Sequence, residues 1–205
     1  MAGRFFSFEG IDGSGKSTQA RLLADSLRDL GLTVVLTREP GGSPGAEDIR
    51  RLVLQGDPDR WSPQTEALLF TAARRDHLEK TIRPALDRGD IVITDRFADS
   101  TRMYQGLRGN LDVVNRLHDL MIGTDPDLTF LIDLDPALGL SRAVARSGPE
   151  QRFEEMGLAL QTTLRAGFLG LAARQQARFA VIDGAGDPAS VATAVLTCAR
   201  AHLGV

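Results

Sequence analysis

Lysine, cysteine and long apolar runs are what this sequence has least of. Of its 24 basic side chains only Lys16 and Lys80 are lysine, and the rest are arginine. A single cysteine, Cys198, excludes a disulfide framework, and its spacing with Val191, Val195 and His202 on a predicted final helix suits core packing better than thiol chemistry. No run of 18 apolar residues occurs and the N-terminus carries no apolar leader, which argues against a membrane-spanning or secreted chain and for a reducing cytoplasm. An excess of either charge is also lacking. With 27 acidic and 24 basic residues the net charge is −3 and the pI near 5.6, which disfavours a nonspecific nucleic-acid or membrane-surface partner and points to a small ligand.

At 205 residues the chain suits one domain, 1–205, able to bury about 70% of its unfolded surface without a metal or disulfide staple. Strands are predicted at 4–8, 33–37, 91–94, 128–134 and 179–182, with helical stretches between them. That alternation is the pattern of an α/β fold with five strands in one mostly parallel, doubly wound sheet and helices on both faces. Gly31 closes the first helix, and Ser43-Pro44, Ser62-Pro63 and Asp187-Pro188 open others, because proline in a first turn gives up only an N–H that had no partner. A helix over 111–122 stops at Gly123, and a long one follows residue 152 to about 176. Between them, residues 144–153 include the polar, turn-prone Ala-Arg-Ser-Gly-Pro-Glu-Gln-Arg, a candidate mobile lid.

The most informative residues are Glu9-Gly10-Ile11-Asp12-Gly13-Ser14-Gly15-Lys16-Ser17-Thr18, set between the first strand and the first helix. Gly10, Gly15, Lys16 and Ser17 meet the spacing G-x-x-x-x-G-K-[ST] of a phosphate-binding loop. Glycine lets the backbone turn left-handed and bring its N–H groups against phosphate oxygens. Lys16 then offers a point charge to the outer phosphates, Ser17 a hydroxyl to Mg²⁺, and the helix its positive N-terminus. In a chain that uses arginine almost everywhere else, Lys16 marks a position where a compact ammonium is wanted. The fold expected is therefore the P-loop NTPase type, with a nucleoside triphosphate on the loop and Mg²⁺ beside it.

Which phosphate chemistry follows is read from the third strand, Ile91-Val92-Ile93-Thr94-Asp95-Arg96. Apolar residues ending in Asp95 suit the acid that holds Mg²⁺ beside Ser17. A hydrolytic motor commonly has a glutamate next, whereas Arg96 suits a second anion. No Asn-Lys-x-Asp guanine reader is present, since neither Asn110 nor Asn115 precedes a lysine. A triphosphate and a monophosphate acceptor together bring about six negative charges, and Mg²⁺ offsets two. Candidate cations for the rest are Arg38 after the second strand, Arg96 after the third, and Arg142, Arg146 and Arg152 around the lid segment. A phosphate acceptor is already anionic and needs no general base. That agrees with His77, His118 and His202, which fall in predicted helices without triad or metal-ligand spacing.

These stretches, with Arg38-Glu39-Pro40-Gly41-Gly42, Leu68-Leu69-Phe70-Thr71-Ala72-Ala73-Arg74, Asp95-Arg96-Phe97-Ala98-Asp99-Ser100, Tyr104-Gln105-Gly106 and Pro126-Asp127-Leu128-Thr129-Phe130-Leu131-Ile132-Asp133, resemble the bacterial thymidylate kinase family in order along nearly the whole chain. The resemblance implies transfer of the γ-phosphate of ATP to dTMP, and a homodimer. It implies that Phe70 stacks on thymine and that Arg74, one helical turn on, donates to the base. It implies that Asp12 faces the acceptor sugar's 3′-hydroxyl, that Tyr104 crowds the 2′ position, and that Gln105 with Ser100 or Thr101 lies at the base edge. Arg38 and Arg96 would clamp the acceptor phosphate, with Glu39 orienting Arg38 or water around Mg²⁺, and Asp133 would be a structural strand-end acid. Two departures stand out: Met103 where relatives commonly have a small residue, and Gln151-Arg152 where many have Asp-Arg. Because Ser14 leaves the loop without an arginine, the catalytic cation is expected from Arg146 or Arg152, with Arg142 third. The rival readings are a P-loop kinase for another deoxynucleotide or a deoxynucleoside, and a regulatory protein that binds nucleotide without turnover.

Overall fold

Arg4-Phe5-Phe6-Ser7-Phe8-Glu9 forms the central strand because side chains on both of its faces find apolar partners; all but Arg4 are buried. The computed structural model describes residues 3–57, 59–145 and 157–205. In chain order these form β1 (Arg4–Glu9), α1 (Lys16–Asp29), β2 (Val34–Arg38), α2 (Pro44–Leu54) and α3 (Pro63–His77), the last passing through a π-helical turn at Leu78–Ile82 into α4 (Arg83–Asp87). Next come β3 (Ile91–Asp95) and α5 (Ala98–Thr101), which runs on as a π-helical turn at Arg102–Gly106, then α6 (Leu111–Met121) and β4 (Leu128–Asp133). α7 (Pro136–Val144), α8 (Gly157–Arg174), β5 (Phe179–Asp183) and α9 (Pro188–Leu203) complete the described chain.

The five strands make one parallel sheet in the order β2-β3-β1-β4-β5. β1 lies in the middle, with Phe6 in register with Ile93 on one side and Leu128 on the other. The chain leaves β1 toward one edge and later returns to build the other, so the crevice at the carboxyl ends of β1, β3 and β4 is where an α/β sheet receives its ligand. On one face Phe6, Phe8 and Phe130 pack under Ala20, Leu23 and Leu27 of α1 and Val191, Val195 and Ala199 of α9, with Cys198 at the margin. Phe8 and Phe130 stack at 4.9 Å. The opposite face carries two clusters, one of Phe5, Val92 and Phe97 against Leu78, Ile82 and Ile122, and one joining Ile11, Met103 and Tyr104 to Leu164 and Phe168 of α8.

Every predicted strand is present, each within one residue of its expected end. The helix starts at Pro44, Pro63 and Pro188 are found, and Ser62 and Asp187 cap theirs through side-chain oxygens that accept from Thr65 N and from Ala189 N and Ser190 N. One helical stretch was not anticipated, at 98–106, and the helical pattern leading into the expected lid runs over 136–144. Val144 belongs to α7, and positions 146–153 of the expected lid, Arg146, Gln151 and Arg152 among them, lie outside the described residues. Met103 is accommodated within the core: a Cβ on Gly167 of α8 would come within 2.7 Å of its sulfur. The larger side chain at 103 is therefore matched by a missing one on the facing helix.

Candidate active site

The loop after β1 turns on Gly10, Gly13 and Gly15, whose φ angles of 137°, 72° and 98° lie where a side chain is strained. Gly13 is required twice over, because a Cβ there would fall 1.9 Å from the Gly139 carbonyl oxygen of α7. Lys16 folds back so that Nζ donates to the Ile11 carbonyl at 2.6 Å and lies 3.4 Å from Ser14 Oγ. Burial and the nearby Arg96 push the Lys16 ammonium down to about 8, against the opposing pull of Asp12, Asp95 and Glu9. Ser17 and Thr18 are exposed in the first turn of α1, and Ser17 lines the crevice. Ser17 Oγ donates to Asp95 Oδ2, while Asp95 Oδ1 is buried with no hydrogen-bond partner among the described residues.

A buried carboxylate oxygen left over beside a serine hydroxyl is a hard, oxygen-only pair of the kind Mg²⁺ takes when phosphates and water complete its shell. No group of three or more His, Cys, Asp or Glu side chains that could hold a metal occurs among the described residues, so an all-protein cage is not on offer. Ser17 and Asp95 are the residues that would hold the ion.

Arg96 ends β3 with φ 71°, a left-handed conformation costing a non-glycine residue about 1–3 kcal/mol. Its N–H bonds to the Phe8 carbonyl at 2.9 Å and its own carbonyl accepts from Thr94 Oγ1 at 2.8 Å, which holds the strained turn. The result is a guanidinium aimed back over the loop: Nη1 reaches Gly10 O at 3.3 Å and Ser100 Oγ at 2.9 Å, and Nη2 reaches Asp12 Oδ1 at 2.5 Å. Tyr104 lies under the guanidinium at 5.1 Å and its hydroxyl donates to Asp12 Oδ2 at 2.9 Å. Burial pushes the Asp12 carboxyl up, but Arg96, Lys16, Gln161 and Tyr104 outweigh it and hold the group below the ordinary aspartate range. Asp12, Arg96, Ser100 and Tyr104, separated by up to 92 positions in sequence, thus meet in one cluster.

Arg74 donates from Nε to Glu39 Oε2 at 2.7 Å and from Nη2 to Thr101 Oγ1 at 3.0 Å, and its guanidinium lies 5.0 Å from the Phe97 ring. Phe70, one turn earlier on α3, is half-buried against the Met103–Tyr104 cluster. Glu39 was expected to orient Arg38 or metal-bound water, and it does not contact Arg38. Its carboxylate is enclosed by Arg74 and His77, whereas exposed Arg38 pairs with Glu47 at 3.3 Å, and Glu47 is itself held by the Gly42 N–H at 3.0 Å. Arg38 still lines the crevice: with Ser17, Thr37, Gly42, Glu47, Thr81 and Asp95 it borders a cavity of about 460 Å³. Gln105 donates to the buried carboxylate of Glu66 at 2.9 Å. Asp133 accepts both nitrogens of Arg165 at 2.7 and 2.8 Å, a structural strand-end acid as expected. Arg142 is exposed on α7.

Three participants escaped the sequence reading. Glu9 is buried, accepts from Phe97 N at 2.8 Å, Ser100 N at 3.2 Å and Ser100 Oγ at 2.6 Å, and so caps α5 from β1. Burial and Asp99 push its carboxyl up to about 7, against Ser100, Arg96 and the Phe97 N–H. His77, seen only as a helix residue, bridges Glu39 at 3.0 Å and Thr37 Oγ1 at 2.7 Å. Gln161 of α8 bonds Asp12 twice, and nothing in a helical glutamine's surroundings in sequence announces it.

A P-loop at the central strand, an acid and an arginine closing the neighbouring strand, and the buried Arg74 across the crevice define a nucleoside monophosphate kinase. Residues 8–195 match the family described as thymidylate kinase. The chain is 66% identical over 203 residues to a thymidylate kinase of Ruegeria pomeroyi, covering 98% of this chain and 96% of that one, and 51% identical to one of Caulobacter vibrioides, covering 99% of each. Its fold superposes on the crystal structure of a thymidylate kinase from Ehrlichia chaffeensis with a TM-score of 0.77 at 35% identity, covering 97% of this chain and 99% of that one. The chain belongs to the thymidylate kinase family.

Proposed function

We infer that the protein transfers the γ-phosphate of ATP to dTMP, giving dTDP and ADP. The observation that carries the mechanism is the position of Arg96, whose strained turn puts one guanidinium within reach of the loop that cradles the donor and of the Asp12–Tyr104 cluster on the acceptor side. ATP lies with its phosphates on the 10–18 loop, where backbone N–H groups, the N-terminus of α1 and Lys16 meet the charge. Ser17 and Asp95 would hold Mg²⁺, which when bound would offset charge on the outer phosphates. dTMP lies across the crevice with its phosphate toward Arg96 and Arg38 and its base between Phe70 and Arg74, and Thr101, Gln105 and Ser100 border the base side. An acceptor phosphate attacks with an oxygen that is already anionic, so Asp12 stays ionised as a binder of the sugar and of Arg96 and takes no proton. Catalysis consists of positioning and fixed positive charge.

We also propose that residues 1–205 form one kinase domain and that a cation from the expected lid segment, Arg146 or Arg152 with Arg142 third, meets the transferred phosphate. A homodimer is supported by large apolar side chains left exposed on neighbouring helices, Leu68 of α3 and Val113, Leu120 and Met121 of α6. No helix among the described residues is long and apolar enough to cross a membrane. With its lone free thiol the enzyme suits the reducing cytoplasm. Steady-state ADP release measured with dTMP, dUMP, dCMP and thymidine tests the substrate assignment: dTMP gives the highest kcat/KM. Turnover of thymidine without turnover of dTMP would overturn it.

A further inference from the structure

We propose that Gln161 is a positioning residue that sets the acceptor side of the reaction by clamping Asp12 through both atoms of its side-chain amide. The inference rests on the role given to Asp12 above. Gln161 Oε1 accepts the Asp12 backbone N–H at 3.1 Å and Nε2 donates to Asp12 Oδ2 at 2.9 Å. Only one orientation of the amide satisfies both bonds, because the backbone group is a donor and the ionised carboxylate an acceptor. The side chain is fully buried, so no solvent competes for either atom. One turn further on, Arg165 fastens the same helix to Asp133 of β4 with two charged hydrogen bonds. α8 is thereby fixed against the sheet where it meets the phosphate loop, and Leu164 and Phe168 lie in the cluster that holds Ile11 and Tyr104.

The consequence reaches past Asp12. Its carboxylate divides its acceptor capacity among three donors, Arg96 on Oδ1 and Tyr104 and Gln161 on Oδ2. Arg96 and Tyr104 both take their direction from where that carboxylate sits. Gln161 is the one of the three that also grips the Asp12 main chain, so it fixes the carboxylate relative to the loop itself. Without it Asp12 can turn about its own side-chain bonds, and the arginine and tyrosine that meet dTMP turn with it. The charged and titratable groups facing this clamp are Arg96 from the end of β3, Lys16 from α1, Tyr104 from the turn after α5, and Arg165 with Asp133 one turn along.

Two substitutions separate positioning from bulk. Gln161→Met keeps the volume and removes both bonds; kcat/KM for dTMP falls by about tenfold to a hundredfold, the worth of hydrogen bonds to a charged group, at every pH, while KM for ATP stays within about twofold. Gln161→Glu restores the acceptor and, when the introduced carboxyl is protonated, the donor as well. Two carboxyls in contact share a proton and release it at higher pH. Q161E therefore stays within about threefold of wild type near pH 5.5 and falls at least tenfold below it by pH 8.5. NMR amide exchange at Asp12 gives a readout independent of turnover: exchange quickens in Q161M and stays protected in Q161E at low pH. Losses of equal size and parallel pH profiles for both variants, or an Asp12 amide equally protected in wild type and Q161M, would overturn the proposal. Failure of the wild-type enzyme to form dTDP would count instead against the reaction proposed above, and the amide-exchange result would still decide the clamp.

Discussion

Replacing Arg74 with methionine tests whether the base-side arginine is also a structural ion. The Arg74 and Glu39 side chains are only 4% and 3% exposed, and their 2.7 Å contact is the main compensation for burying the carboxylate. In Arg74→Met, Glu39 keeps His77 Nδ1 at 3.0 Å and loses its permanent cation. Removing one member of such a buried pair costs about 3–5 kcal/mol, because the remaining charge stays out of water without compensation. For a chain of 205 residues each kcal/mol shifts Tm by about 2–4 °C, so the expected fall is about 6–20 °C. Thermal unfolding by circular dichroism, with and without a second substitution Glu39→Gln, reads this directly. The double variant carries no buried charge at either position and recovers at least half of the loss. In kinetics R74M raises KM for dTMP and leaves KM for ATP within about twofold. A Tm within 2 °C of wild type, or a double variant no more stable than the single one, would refute the reasoning.

Lys16→Ala removes the ammonium from the outer phosphates and lowers kcat by about 10²-fold or more in steady-state assays, as other preorganised electrostatic groups do. Because burial and Arg96 hold Lys16 down to about 8 in the empty enzyme, binding of a triphosphate draws the group back to its charged form; calorimetry in buffers of different ionisation enthalpy shows proton uptake with ATP at pH 8–9 and little at pH 6.5. Glu9 has a folded pKa of about 7 against 4.5 for a free glutamate, so its ionised form is disfavoured by folding. The penalty is absent below about pH 4.5, grows from there to pH 7 and is constant above. Glu9→Gln abolishes it, so urea unfolding shows the variant gaining on wild type by on the order of 3 kcal/mol between pH 5 and pH 8, and a pH-independent difference would contradict the assignment.

The strands and most helix ends could be read directly because their signals are local. Pro44, Pro63 and Pro188 announce their helices with a serine or aspartate just before them, and Ser62 and Asp187 cap theirs. α7 carries the same Asp-Pro signal, with Asp135 accepting from Ala137 N and Leu138 N. α5 is a different case. Its first N–H groups are satisfied by Glu9, 88 and 91 positions away, and no window around Phe97 contains that information. The same holds in the site. The loop residues and the Asp95–Arg96 pair stand in contiguous motifs, and the resemblance to a known family pointed to Arg74 and Tyr104. The partners that fix these groups, His77 on Glu39, Glu66 on Gln105 and Gln161 on Asp12, are ordinary helical polar residues until the fold buries them against a charge. The resemblance placed Glu39 beside Arg38 or metal-bound water. Successive residues at a strand end point to opposite sides, which sends Arg38 to Glu47 and Glu39 to Arg74.

Direct transfer between two anions held end to end is the claim on which the rest depends. Incubating the enzyme with Mg²⁺, dTMP and ATP labelled at the γ-phosphate, then separating the products, follows the transferred group itself. Label recovered in the β-phosphate of dTDP, in equal amount to ADP formed and only when dTMP is present, is the result expected. Label released as inorganic phosphate at the same rate with and without dTMP would contradict it.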